Sequence, residues 1–214
     1  MLTRSLCALI AALGLLPLTA FAQSAPSEPP LPLLPDLVPV AVDANTTAFL
    51  VLDINSSVCQ PRPVCTVTVP AIARLLDKAR AAGAFVGFST TGTADVLPEI
   101  APRPGEPVFS ARADKFYNSD LDQTLQQHGI QTLVLVGSAA NGAVLYTSFG
   151  ASERGYTVVV ATDGISSAAD FDTFLAEYQL LDEPGFANLA NDPLHANAVT
   201  LSRGDLITFS TATK

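Results

Sequence analysis

Positive charge is what this sequence most lacks. It sets 11 lysines and arginines and two histidines against 20 aspartates and glutamates, a formal net charge of −9. So acidic a chain has little with which to neutralise a phosphate backbone, which argues against nucleic acid as a partner. Histidine and cysteine are too few and too scattered to gather a metal site, and no cofactor is implied. Beyond Leu18 no stretch offers the roughly 18 uninterrupted apolar residues of a membrane span, so no membrane contact is expected once the N-terminal segment is removed. No internal repeat is present.

That N-terminal segment has its own signature. Arg4 is followed by an apolar run from Leu6 to Leu18 and then by Ala20-Phe21-Ala22. A charged start, a 13-residue apolar core and an A-x-A site predict a secretory signal peptide over residues 1–22. Its removal takes Cys7 away, changes the net charge from −9 to −10 and leaves 192 residues for a secreted or periplasmic protein. Residues 23–43 come next as a leader with prolines at 26, 29, 30, 32, 35 and 39, expected to be extended, as a spacer or as a strap laid over the domain. One domain of ordinary size, residues 44–214, remains.

Two cysteines stay, Cys59 and Cys65, separated by Gln-Pro-Arg-Pro-Val. In an oxidising compartment so close a pair across a proline-containing loop predicts a disulfide. Redox motifs favour two intervening residues, and no further His or Cys supports a metal.

From Thr47 onward strand and helix signals alternate. Apolar runs at 47–52, 84–88, 131–136, 156–161 and 198–201, with a short one at 108–110, read as strands, and the continuous ones as strands buried on both faces. Helices are expected at 69–82, 120–128, 143–154 and 168–181, with Gly83, Gly129 and Gly155 as stops. Such alternation predicts an α/β fold: three αβα layers around a mostly parallel sheet. Ligands of these sheets bind at the carboxyl ends of strands, so the turn 137–143 should line a pocket.

Four stretches, in this order and spacing, resemble the isochorismatase-like, or cysteine hydrolase, superfamily over about residues 46–165. They are Ala48-Phe-Leu-Val-Leu-Asp53, Pro98–Pro102 with Gly105, Glu106 and Val108, Phe116-Tyr-Asn-Ser-Asp-Leu121, and Gly129 through Asp163. The resemblance implies that Asp53 is the catalytic carboxylate. Where most members carry the nucleophilic cysteine this chain has Ala143, as isochorismatases likewise lack that cysteine. The lysine position falls on Ser110, with Lys115 the nearest cation and an even choice between the two. The frequent zinc motif, Asp-x-His, is absent from Ser89–Thr93, so no metal is implied.

Each residue also has a plainer reading. Asp53 could be a turn aspartate, although a lone carboxylate ending a buried strand is costly unless paired. Lys115 could be a solvated surface lysine. Asn141 fits a helix cap as well as a ligand contact, and Phe116 fits core as well as pocket wall. Ser138, Ser89, Thr90 and Thr91 most simply bond loop backbone. With Gly142, Ala143 and Ser110 they complete the candidate pocket. If no cation stands at 110, burial favours the neutral acid form of Asp53 and hence an acid role. Two functions are compatible with these residues. One is an exported hydrolase acting on a small molecule without a cysteine, Asp53 as general acid/base. The other is an inactive relative that binds a small molecule or a protein. Self-association into a homo-oligomer stays open.

Overall fold

The computed structural model describes residues 31–92 and 94–211. The expected signal peptide and the leader up to residue 30 lie outside the described residues. The compact unit that begins at Leu34 carries the whole of the fold described below the leader.

Six parallel strands form the central sheet. β2 (Thr47–Leu52), β3 (Phe85–Thr90), β4 (Val108–Ser110), β5 (Thr132–Ser138), β6 (Thr157–Ser166) and β7 (Val199–Ser202) lie in the order β4-β3-β2-β5-β6-β7. The three central strands are rich in Val, Leu and Ala because both faces are covered, and alternate residues go to opposite cores. On one face Leu50, Leu135 and Val160 pack with residues of α3 (Leu121–Gln127), α4 (Leu145–Ser152) and α5 (Asp170–Leu181). On the other, Val51, Val136 and Val159 pack against α2 (Pro63–Ala81). This is the three-layer αβα arrangement expected from the sequence.

Three expectations are corrected. The first long helix starts at Pro63, not at 69, and carries Pro70 within it. Its buried stripe begins with Cys65 and Thr68 and continues through Val69, Ile72, Leu75, Leu76 and Ala79. A cysteine and a threonine do not announce a helical face, and Pro63 suits a first-turn position because its missing N–H has no partner to lose there. Cys65 is bonded to Cys59 of the short helix α1 (Ser56–Cys59), with 5.0 Å between Cα atoms. The expected disulfide is present, and it joins two helices across the short turn 60–62.

Second, residues 40–43 belong to a strand. β1 (Val40–Asp43) pairs in parallel with β8 (Ile207–Ser210) as a separate two-stranded sheet, and Val40 and Val42 are buried in the α2-side core. Just before it, Ser202 Oγ donates to Val38 O at 2.7 Å and Asn191 donates to Asp36 O at 2.9 Å. Third, β6 runs to Ser166, five residues beyond its apolar stretch.

The feature that positions the site is the close approach of β5 to β2. Leu52 pairs with Gly137, and a Cβ at 137 would lie 2.4 Å from Leu52 O. Only glycine lets the two strands run together to the point where Asp53 leaves the sheet.

Candidate active site

Asp53 stands at the carboxyl end of β2, 5 % exposed, with φ of 56°. That left-handed conformation is uncommon outside glycine, and Asp and Asn are the side-chain-bearing residues that tolerate it best. Its carboxylate is fully engaged. Lys115 Nζ approaches Oδ2 at 2.6 Å, Thr91 Oγ1 donates to the same oxygen at 2.8 Å, and Ser89 Oγ donates to Oδ1 at 3.1 Å.

Lys115 reaches this point from the loop between β4 and α3 and is completely buried. The turn after β4 folds the lysine back, so that its ammonium also donates to Ala111 O at 3.2 Å and to Arg112 O. Its backbone N–H is tied to Thr147 Oγ1 of α4 at 3.2 Å. The ammonium thus meets one carboxylate and two carbonyls, with Thr91 Oγ1 a longer fourth contact at 3.4 Å.

Of the two lysine-position candidates, Lys115 is the one at the carboxylate. Ser110 is exposed, in an open cleft of about 360 Å³ with Thr91, Ala111, Arg112, Tyr117 and Asn118. The acid role expected for Asp53 in the absence of a cation loses its premise. Ser89 and Thr91, expected to satisfy loop backbone, instead donate to Asp53.

The turn after β5 begins next to the strand end that carries Asp53, because Leu52 pairs with Gly137. Ala140–Val144 forms a wide π-type helical turn leading into α4, and the Ser138–Ala139 peptide is cis. Ala143 is 4 % exposed within the core on the helical side, and Gly142 is half-buried. Ser138 is buried and donates to Ser166 O at 3.1 Å, while Ser166 Oγ donates to Ser138 Oγ at 3.2 Å. Asn141 caps no helix: its N–H bonds Ser167 Oγ at 3.2 Å and its Oδ1 accepts from Ser167 Oγ at 3.1 Å. Ser166 and Ser167 were not legible as site neighbours, since they come after the apolar part of β6.

Phe116 is not placed with the pair. Its ring stacks on Tyr156 at 5.9 Å and lies under the Arg154 guanidinium at 4.6 Å. It is a core residue, turned away from its neighbour Lys115. Tyr156 in turn donates to Asp122 at 2.8 Å, and burial together with that carboxylate pushes its hydroxyl above the ordinary tyrosine range.

Among the described residues no group of three or more His, Cys, Asp and Glu side chains is gathered as for a metal ion, and no helix is long and apolar enough to cross a membrane.

The isochorismatase domain model matches residues 47–180, the stretch that holds Asp53, Lys115 and the β5–α4 turn. The chain belongs to the isochorismatase family. It is 26 % identical over 156 residues to an isochorismatase family protein, YwoC, of Bacillus subtilis, covering 60 % of this chain and 82 % of that one. It is 32 % identical over 110 residues to the secreted isochorismatase effector Isc1 of Verticillium dahliae, covering 45 % of this chain and 58 % of the effector. Among solved structures, an isochorismatase family protein of Desulfovibrio vulgaris superimposes with a TM-score of 0.65 at 22 % identity, over 75 % of this chain and 95 % of that one. That likeness shows the fold, in which the Asp53 strand and the β5–α4 turn are neighbours at the carboxyl edge of the sheet.

Proposed function

We propose that the protein is an exported isochorismatase-family hydrolase that acts on a small molecule without a cysteine nucleophile, the Asp53–Lys115 pair serving as its acid–base group. The observation that carries this is the pair itself, an ammonium and a carboxylate joined at 2.6 Å at the end of β2, with Ala143 on the adjoining turn. If 143 is the nucleophile position, its methyl group leaves covalent acyl transfer without an attacking atom. The pair holds one transferable proton. It suits an activated bond such as an enol or vinyl ether: the proton goes to carbon, water adds to the resulting cation, and the proton that water loses returns to the pair. The hemiketal so formed collapses, its C–O bond breaking to release a carbonyl compound and an alcohol. General acid–base catalysis of this kind contributes roughly 10²–10⁴-fold.

Export is supported by the Cys59–Cys65 bridge, by the composition of residues 1–22 and by the secreted relative in Verticillium. The test is turnover of vinyl ethers, enol esters and small amides by the mature protein. Asp53→Asn, which keeps the left-handed conformation accessible, should lower kcat by roughly 10²-fold or more, while thiol alkylation leaves it unchanged. Full activity in Asp53→Asn would sink the catalytic role.

One observation favours a second function, that of a binding protein without turnover. Lys115 is 0 % and Asp53 5 % exposed, so the pair is closed to solvent as it stands. Saturable binding of a ligand that is never consumed would select that alternative.

A further inference from the structure

Two helix faces and one strand end enclose a cleft of about 330 Å³, large enough for a small metabolite. From α5 it takes Asp170, Thr173, Phe174 and Glu177, the i, i+3, i+4, i+7 positions of one face. From α2 it takes Val64, Val67 and Thr68, again one face, held in place by the neighbouring Cys59–Cys65 bridge. Its floor is Ile165, Ser166 and Ser167 at the carboxyl end of β6, where open α/β sheets take ligands.

The side-chain hydroxyls of this cleft have mostly committed their protons elsewhere. Thr68 Oγ1 donates its proton to Cys65 O at 2.8 Å, Ser166 Oγ to Ser138 Oγ at 3.2 Å, and Ser167 Oγ to Asn141 Oδ1 at 3.1 Å. Thr173 Oγ1 already accepts the Ser167 N–H at 3.0 Å. What the cleft offers a visitor is therefore oxygen lone pairs and two carboxylates, and no lysine, arginine or histidine lines it. Among the described residues no ion pair engages Asp170 or Glu177. Valine, isoleucine and phenylalanine side chains make up the rest of the wall.

We propose that this cleft binds a small organic ammonium ion with an apolar body, a ligand that brings donors and positive charge to a site supplying acceptors and negative charge. The cleft shares no lining residue with the Asp53–Lys115 pair or its hydrogen-bond partners, and its floor residues Ser166 and Ser167 abut the β5–α4 turn through Ser138 and Asn141. An anionic ligand is disfavoured on the same grounds: it would face two carboxylates and no cationic side chain.

Binding carries a pH signature. Burial pushes the Glu177 carboxyl up to about 7. It lines the cleft with Val64, Val67 and Thr68 of α2 and with Ile165, Ser166 and Ser167 at and just after the end of β6, and Asp170 is the other titratable residue of that lining. Below its midpoint Glu177 is neutral and attracts an ammonium less, so affinity rises as pH passes upward through 7.

The experiment is calorimetric or ligand-observed NMR titration of the mature protein with benzylammonium, and with phenylacetate as the isostere of opposite charge. Benzylammonium should bind saturably at one site at pH 8 and roughly tenfold more weakly at pH 6, with phenylacetate binding not at all. Glu177→Gln should weaken benzylammonium about tenfold at pH 8 and flatten the pH dependence. Val67→Lys, at a position 77 % exposed and so harmless to folding, should abolish ammonium binding. Asp53→Asn should leave the affinity unchanged, which keeps this site's failure distinct from failure of the catalytic role. Equal binding of both isosteres, indifference to Glu177→Gln, or no binding of benzylammonium at tens of millimolar would overturn the proposal. So would self-association that buries the apolar rim and is broken by Val67→Lys, since the cleft would then be an interface between copies.

Discussion

Replacing Lys115 by methionine tests whether the buried pair is built as the structure shows. The perturbation removes the ammonium from a carboxylate that is 5 % exposed, while the methionine stem fills nearly the same volume. Asp53 then keeps Ser89 and Thr91 as donors at 3.1 and 2.8 Å but has no compensating charge. Breaking a buried pair on one side costs about 3–5 kcal/mol. Ala111 O and Arg112 O lose their donor as well, but Ala111 is half-buried and Arg112 exposed, so water replaces it there at little cost. For a domain of this size each kcal/mol moves Tm by about 2–4 °C, so Lys115→Met should melt roughly 6–20 °C lower than the parent. Urea unfolding should give a lower midpoint at unchanged slope.

Asp53→Asn alone should cost a similar amount, because it strands the ammonium while keeping the left-handed conformation accessible. The double variant should regain most of the loss, since with both charges removed neither is left unpaired in the core. A double-mutant cycle would then report a coupling of several kcal/mol. A Lys115→Met cost below about 1 kcal/mol, the value of an exposed ion pair, would refute the reasoning and return Lys115 to the surface.

Other outcomes are expected from separate parts of the structure. Glu183 is 3 % exposed with Oε2 unpartnered, and burial, with the Glu153 charge adding, lifts its carboxyl to about 7. Because the folded value lies above the unfolded one, stability should fall by about 2 kcal/mol as pH rises from 4.5 to 7, and urea melts of Glu183→Gln should lose that slope. Intact-mass analysis after alkylation without reductant should find no free thiol, and Cys59→Ser with Cys65→Ser should cost about 2.4 kcal/mol for the seven-residue loop; two labelled thiols would reject the bridge. Phe116→Leu should lower stability by about 1–2 kcal/mol through lost packing on Tyr156 and leave turnover or ligand affinity untouched, whereas a changed KM would put the ring back in the site. Ala143→Cys should not by itself create amidase activity, as oxyanion donors must also be aligned; acyl-enzyme detected by mass spectrometry would contradict this.

How far the sequence carried can be judged at particular residues. The central strands were legible because β2, β5 and β6 are buried on both faces and need apolar residues without a break. β1 and β8 were not. Each is four residues long, and Val40–Asp43 comes after a run of prolines, so burial of Val40 and Val42 against α2 is a tertiary fact without a local signal. Asp53 was legible because its carboxylate ends an apolar strand and needs a partner. Which partner was not, because spacing along the chain says nothing about a turn that folds back, and Lys115 reaches the carboxylate five residues beyond the end of β4. The hydroxyls of Ser89 and Thr91 and the α2–α5 cleft belong to the same class. They are juxtapositions of residues far apart in sequence, and only the fold brings them together.

The two arrangements at the carboxyl edge of the sheet bear on function in opposite ways. The Asp53–Lys115 pair, the proposed acid–base group, lacks an opening. Thr91, Ala111 and Arg112 bond its lysine or aspartate on one side and line the open cleft containing Ser110 on the other. One layer of loop therefore separates solvent from the pair, and Thr91 is its exposed hydroxyl. A substrate that reaches the carboxylate from this side must take over the bond Thr91 makes to Asp53, by offering a donor at the same oxygen. A water molecule or an enol hydroxyl does this, and an ether oxygen does not. Access through that layer thus favours a substrate or co-substrate that arrives as a hydrogen-bond donor. The same property distinguishes ligands of the acceptor-lined cleft between α2 and α5.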